Sequence, residues 1–265
     1  MNKSCPHILQ LLNRKAALNL PAGIVEFISG EWGLEGERLL KLADARIASL
    51  IASTSEKIVG DAYRSDLSGV GTEHKLAELL CEITLADALV RISDGKPDFH
   101  PQNVLGKYCD VKVAFDGGDV YGEVKRLADT WEGGVRSLAK SITAPKPSNV
   151  NRPRAMDLYE KLKGVHAQFP LGALNILFLF QPSVWNGSVY IKQALFGDAS
   201  ALTESTEMTV HDDGLFALDE WRNVTACAHS RVNADGTLSI VQIWSNPKAN
   251  VTLVDNVRER LALAV

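Results

Sequence analysis

Two alternating runs, KYCDVKVAF (107–115) and VYGEVKRL (120–127), flank the tetrapeptide DGGD (116–119). Alternation of apolar and polar residues marks a strand with one buried face, and a Gly-Gly pair between two such runs is a hairpin signal. With Gly117 and Gly118 as the two-residue loop, Asp116 faces Asp119, and the numbers of paired residues sum to 235. Asp110 then lies opposite Lys125, and Lys112 opposite Glu123. Opposed residues share a face of an antiparallel pair. Val111, Val113, Phe115, Val120, Gly122 and Val124 therefore form an apolar face for the core. Asp110, Lys112, Ala114, Tyr121, Glu123 and Lys125 form the other.

Two carboxylates and a lysine thus converge on one patch, with Glu123 diagonal to Asp110. Neighbouring carboxylates repel unless a cation lies between them. Oxygen donors of this kind suit Mg²⁺ or Mn²⁺, which keep several waters and add phosphate oxygens to their shell. A lysine beside such a metal can orient a water or hold the scissile phosphate, a set of groups suited to phosphodiester hydrolysis. The same residues also suit a solvated face of cross-strand ion pairs, each contributing at most about 1 kcal/mol.

The flanking sequence is read as alternating helices and strands. Thr72 is a candidate N-cap for a helix over EHKLAELLCEITLADAL, where Leu76, Leu79, Leu80 and Ile83 recur at helical spacing. A short strand LVRI (89–92) is expected next, then the hairpin, a helix from Met156 to about Gln168, and a buried strand ALNILFLF (173–180). Beyond it, VTACAHSRV and TLSIVQIW flank NADG as a second hairpin, and a helix runs from about Asp255 to Leu263. Residues 1–70 read as short helices (Ile8–Leu18, Ile24–Ile28, Leu39–Ile51) with balanced charge. The division expected is a helical region over 1–70 and a second domain over 71–265, with its core at 72–180 and an extension at 181–265.

Pro97-Asp98, then Asp110, then Glu123-Val124-Lys125 within VYGEVKR resembles the signature of the PD-(D/E)xK nuclease superfamily. The helix–strand–strand–strand–helix–strand order over 72–180 is similar to that superfamily's core. The thirteen residues from Asp110 to Glu123 resemble the separation in Holliday-junction resolvases. The resemblance implies an α/β fold with a mixed central sheet and flanking helices, a restriction-endonuclease-like αβββαβ core. A helical N-terminal addition and a C-terminal hairpin plus helix lie outside it. It also implies a Mg²⁺- or Mn²⁺-dependent nuclease, cutting internally or from ends. Asp110, Glu123 and the Val124 carbonyl would hold the metal, and Lys125 would position the water or phosphate. Literal motif matching selects Asp98 instead of Asp110. Asp110 is preferred because the hairpin register brings it to Glu123, whereas Asp98 falls in a Pro-rich loop.

Many members carry a glutamate on the first core helix. Glu73 shares the stripe of Leu76, Ala77 and Leu80, whereas Glu78 lies with His74, Lys75 and Glu82 on the side expected to face solvent. Glu73 is accordingly the candidate. Gln168, at the end of the following helix, resembles a glutamine near the active site of some members. A module that keeps this fold for binding or assembly without cutting is the alternative.

Charge bears on the partner. Lys and Arg number 28 against 32 Asp and Glu, a net −4, which argues against coating nucleic acid indiscriminately. The sum conceals an acid-free segment, 133–156, carrying Arg136, Lys140, Lys146, Arg152 and Arg154. With Lys112 and Arg126 it is the candidate phosphate-tracking surface for nucleic acid, DNA in the first instance. Cys5, Cys81, Cys109 and Cys227 form no C-x-x-C pair, and the six histidines show no zinc spacing. A reducing, cytoplasmic setting without a membrane span is expected, and a homodimer is compatible with cutting two strands.

Overall fold

The computed structural model describes residues 5–11, 36–70, 72–127, 151–181, 188–197, 210–232 and 238–263. Among these are seven α-helices and a six-stranded mixed sheet. Helices α1 (Pro6–Leu11), α2 (Gly36–Ser53), α3 (Glu56–Gly69) and α4 (Glu73–Ile92) come first. Strands β1 (Asp98–Phe99), β2 (Val111–Phe115) and β3 (Gly118–Arg126) follow, then α5 (Asn151–Leu162), β4 (Leu174–Gln181) and α6 (Ser188–Phe196). The described chain closes with β5 (Ala226–Val232), β6 (Leu238–Ser245) and α7 (Asp255–Leu263). The strands lie in the sheet in sequence order. β1–β2–β3 and β5–β6 are antiparallel, while β3–β4–β5 are parallel.

Side-chain alternation divides the interior into two layers. Val113, Val120, Ile176, Phe178, Ala226 and Ala228 pack with α1–α4 and α7 on one face of the sheet. Leu177, Leu179, Cys227 and Trp244 pack with α5 and α6 on the other. β4 is buried along its whole length, as a parallel strand covered on both sides must be. The N-terminal helices share their apolar core with α4 and the sheet. The hydroxyl of Thr72 accepts from the Lys75 N–H (3.3 Å) and starts α4 where the sequence indicates.

The first hairpin keeps both expected faces but turns elsewhere. Phe115 pairs with Gly118 and Val113 with Val120, so the loop is Asp116-Gly117 and paired numbers sum to 233. The turn is anchored from outside the hairpin. The Asp116 N–H donates to Asp94 Oδ2 (3.1 Å), and Arg260 pairs with both Asp94 (2.7 Å) and Asp116 (3.6 Å). Gly118 at φ +116° takes a conformation that a side chain would resist, and opens β3. A shift of two residues leaves every side chain on its face. Extended one step, the register sets Asp110 level with Glu123 rather than diagonal to it.

Two other expectations change. LVRI (89–92) is the last turn of α4, because Leu89 continues the buried helical face of Leu85 and Ala86. The edge position in the sheet belongs instead to Asp98 and Phe99, which pair with Lys112 and Val111. The helix expected over 156–168 starts earlier, at Asn151, and ends at Leu162, with a separate 3₁₀ turn at Val165–Gln168. Among the described residues no helix is long and apolar enough to cross a membrane.

Candidate functional site

Asp110 and Glu123 meet where β2 leaves the β1–β2 loop. The Asp110 N–H donates to the Gly122 carbonyl (3.1 Å), and its own carbonyl accepts from the His100 N–H (3.0 Å), which fixes the backbone. Its carboxylate is oriented by the Val124 N–H, which donates to Oδ2 at 2.6 Å. Glu123 is 1% exposed, and its Oε1 pairs with the Lys125 ammonium two residues along the same strand face. Glu123 Oε2 is buried and has no hydrogen-bond partner. A buried carboxylate oxygen left in that state costs free energy unless something else binds it.

The electrostatics follow from this crowding. Burial pushes the Asp110 carboxyl well above the usual range, and the Glu123 and Glu82 charges add to the effect against the Val124 N–H and Lys125. Burial also raises Glu123; Lys125 and the Gln168 side chain oppose that rise, while Glu82 adds to it. Burial alone would lower Lys125, but Glu123, Asp110 and Glu82 together push it up, so the ammonium form is held. Among the described residues, the Asp110 and Glu123 carboxyls thus crowd the Lys125 ammonium, and burial opposes the full ionisation of both.

Glu82, from the middle of α4, is the helix acid that faces this site. It lies 3.9 Å from His100 Nε2, with its side chain 24% exposed. The sequence reading placed it on the solvent side. α4, however, lies between the N-terminal helices and the sheet and is buried on most of its surface, which blurs the amphipathic signal. The Glu73 backbone stands in the first turn of α4, nine residues and about 13 Å along the axis from Glu82; its side chain lies outside the description.

His100 and Tyr63 also belong here, and the sequence reading missed both. His100 adopts φ +52°, uncommon for a non-glycine residue and frequent at functional sites. The neighbouring Glu82 carboxylate raises its pKa against burial, with Asp66 and Glu123 contributing. The buried Tyr63 ring, from α3, packs edge-on against it at 5.7 Å. Only the φ preference could have marked His100 in advance, and no sequence pattern states a φ.

The remaining candidates separate. Gln168 is at the site, acting on Glu123 and donating from Nε2 to the Tyr108 carbonyl (3.3 Å). Asp98 lies not in an unpaired loop but in β1 opposite Lys112, with its side chain exposed. Lys112 pairs with Asp119 (2.7 Å) and lies over the Tyr121 ring. Arg126 is 3% exposed, so it is part of the interior rather than a surface for phosphates. Arg152 and Arg154 stand in the first turn of α5 with side chains outside the description, and Arg136 and Lys140 lie wholly outside it. Trp221 and Trp244 fill the core, and all four cysteines are buried free thiols.

Among the described residues, no three His, Cys, Asp or Glu side chains are gathered into a complete metal cage. A magnesium site of the kind that retains waters and substrate oxygens needs only one or two carboxylates. The two here, one with a bare buried oxygen, fit that smaller requirement. No protein-family model, no curated protein and no solved structure matches the chain.

Proposed function

We propose that the protein is a metal-dependent nuclease that hydrolyses phosphodiester bonds in DNA, on a restriction-endonuclease-like core over residues 72–180. The observation that carries this reading is the Asp110–Glu123 carboxylate pair. Its members sit level on adjacent strands, both with raised pKa values, one with an unpartnered oxygen, beside a charged lysine. A purely structural ion-pair face would expose such charges or balance them. The α-β-β-β-α-β order over these residues and the thirteen-residue spacing support the same reading.

Asp110, Glu123 and the Val124 carbonyl are the groups that would hold Mg²⁺ or Mn²⁺. That ion supplies charge stabilisation at the scissile phosphate and favours ionisation of a bound water. The chain's own residues do the rest. The Val124 N–H holds the Asp110 carboxylate in one orientation. Lys125, kept as an ammonium by Glu123, donates hydrogen bonds to the attacking water or to a non-bridging phosphate oxygen. Gln168 steadies Glu123 in its ionised form. Glu82 and His100, 3.9 Å apart and both partly exposed, are an acid and an imidazole that can exchange a proton with solvent near the carboxylates.

The direct test is cleavage of supercoiled and linear DNA in Mg²⁺ or Mn²⁺. The native protein should cut, EDTA should stop it, and Lys125→Ala should reduce the rate by about two orders of magnitude or more with an unchanged circular dichroism spectrum. Undiminished cutting by Lys125→Ala, or no cutting by the native protein in either metal, would overturn the assignment.

A further inference from the structure

The segment 101–109 (PQNVLGKYC), between β1 and Asp110, is a small closed hairpin. Gln102 and Tyr108 form an antiparallel bridge, the Asn103 N–H donates to the Lys107 carbonyl (2.8 Å), and the Gly106 N–H donates to the Asn103 carbonyl (3.0 Å). Gly106 supplies the left-handed turn at φ +72°. Buried Asn103 ties this hairpin to the protein. Its Nδ2 donates to the carbonyls of Ala167 (2.8 Å), Gln168 (3.1 Å) and Phe169 (3.2 Å), and its Oδ1 accepts from the N–H groups of Leu105 (2.9 Å) and Lys107 (3.0 Å).

That rigid support carries an apolar tip. Val104 is 85% exposed and Leu105 68%, with Tyr108 half-exposed below them and Lys107 exposed beside them. Single exposed aliphatics are ordinary, but two at the tip of a loop held by a buried side chain are an organised feature. The segment contains one cation and no acid, although it leads directly into the carboxylates of the site. Six residues separate Val104 from Asp110, at most about 20 Å of chain, or roughly six base steps along a DNA strand.

We propose that this hairpin is a wedge that inserts Val104 and Leu105 between stacked bases of a DNA substrate, with Tyr108 against the uncovered base and Lys107 on the backbone. The choice of DNA rests on the nuclease reading. Aliphatic side chains cannot read base edges, but they fill the gap left when a step unstacks, and an aromatic ring replaces the lost stacking. A substrate that opens cheaply, such as a mismatched or branched duplex, is preferred over a fully paired one.

The test uses a mismatched duplex labelled with aminopurine beside the mismatch, with Mg²⁺ present and the Lys125→Ala protein, so that the DNA stays intact. Binding should raise the fluorescence several-fold and be about tenfold tighter than to the paired duplex. Adding Val104→Ser and Leu105→Ser should remove both effects without moving the melting temperature. Absence of binding, binding without a fluorescence rise, or an unchanged response in the serine variant would overturn the wedge. So would a dimer in sedimentation that the serine variant dissolves, since the tip would then join two copies. Cleavage by the native protein is scored separately. Cutting without an aminopurine response rejects the wedge alone, and the response without cutting rejects the nuclease alone.

Discussion

At the scale of single residues, the site is organised by what burial does to charge. Asp110 is held in repulsion with Glu123 and Glu82 and keeps one oriented hydrogen bond, from the Val124 N–H. Asn at this position keeps an acceptor for that N–H and removes the repulsion. Asp110→Asn should therefore raise metal-free stability by about 1 kcal/mol while abolishing cleavage, measured by urea unfolding and DNA cutting on the same preparation. A second buried group makes a separate prediction. His229 is 2% exposed, its Nδ1 is 3.0 Å from the Ser188 hydroxyl, and burial followed by Arg231 pulls its pKa down to about 4. Between an ordinary value near 6.5 and about 4, the unfolded chain binds a proton that the folded chain refuses. Its contribution is thus intact above about pH 6.5 and falls as pH drops, by about 3 kcal/mol at pH 4. The raised carboxyls Asp110 and Glu123 act with the opposite sign, and both proteins share them. Urea unfolding from pH 7 to 4 should show a shallower loss in His229→Gln than in the native protein. The convergence of Asp110, Glu123 and Lys125 was legible from alternation alone. His100 was not, because its place depends on a left-handed backbone and on an acid eighteen residues earlier in the chain.

At the scale of elements, what was legible is what local pattern controls. β4 was legible because the apolar run ALNILFLF is too short for a helix, and α7 because Asp255 and the apolar pair Val257 and Leu261 bound it. The misread elements are those decided at a distance. The turn of the first hairpin is fixed by Asp94 and Arg260, far outside it in the chain. The 89–92 segment has strand-like composition but completes a helix already packed on the sheet. Helix α1 shows the same principle. Its N-terminus is capped from α2 by Asp44, whose carboxylate accepts from the N–H groups of His7 and Ile8, both at 2.8 Å, and contacts His7 Nδ1 at 2.8 Å. Asp44→Ala should cost about 1–2 kcal/mol and speed amide exchange selectively over Pro6–Leu11. Uniform exchange across all helices would show that the cap acts on global stability instead.

At the scale of the whole molecule, the net −4 conceals how charge is distributed. Acids concentrate on Asp110, Glu123 and Glu82 around one lysine, and an acid-free hairpin stands beside them. The N-terminal helices are continuous with this arrangement. α3 delivers Tyr63 and Asp66 to the His100 side of the site, and its apolar residues share the core of α4 and the sheet. On the proposed nuclease reading, a divalent cation would relieve the repulsion between these carboxylates, and an anionic substrate would complete its shell. The most direct test is a crystal soaked in Mn²⁺ and measured for anomalous scattering. A peak bridging the Asp110 and Glu123 carboxylates, absent in Glu123→Gln, is the predicted result. A Mn²⁺ concentration that supports DNA cutting, with no peak between those two residues, would contradict it.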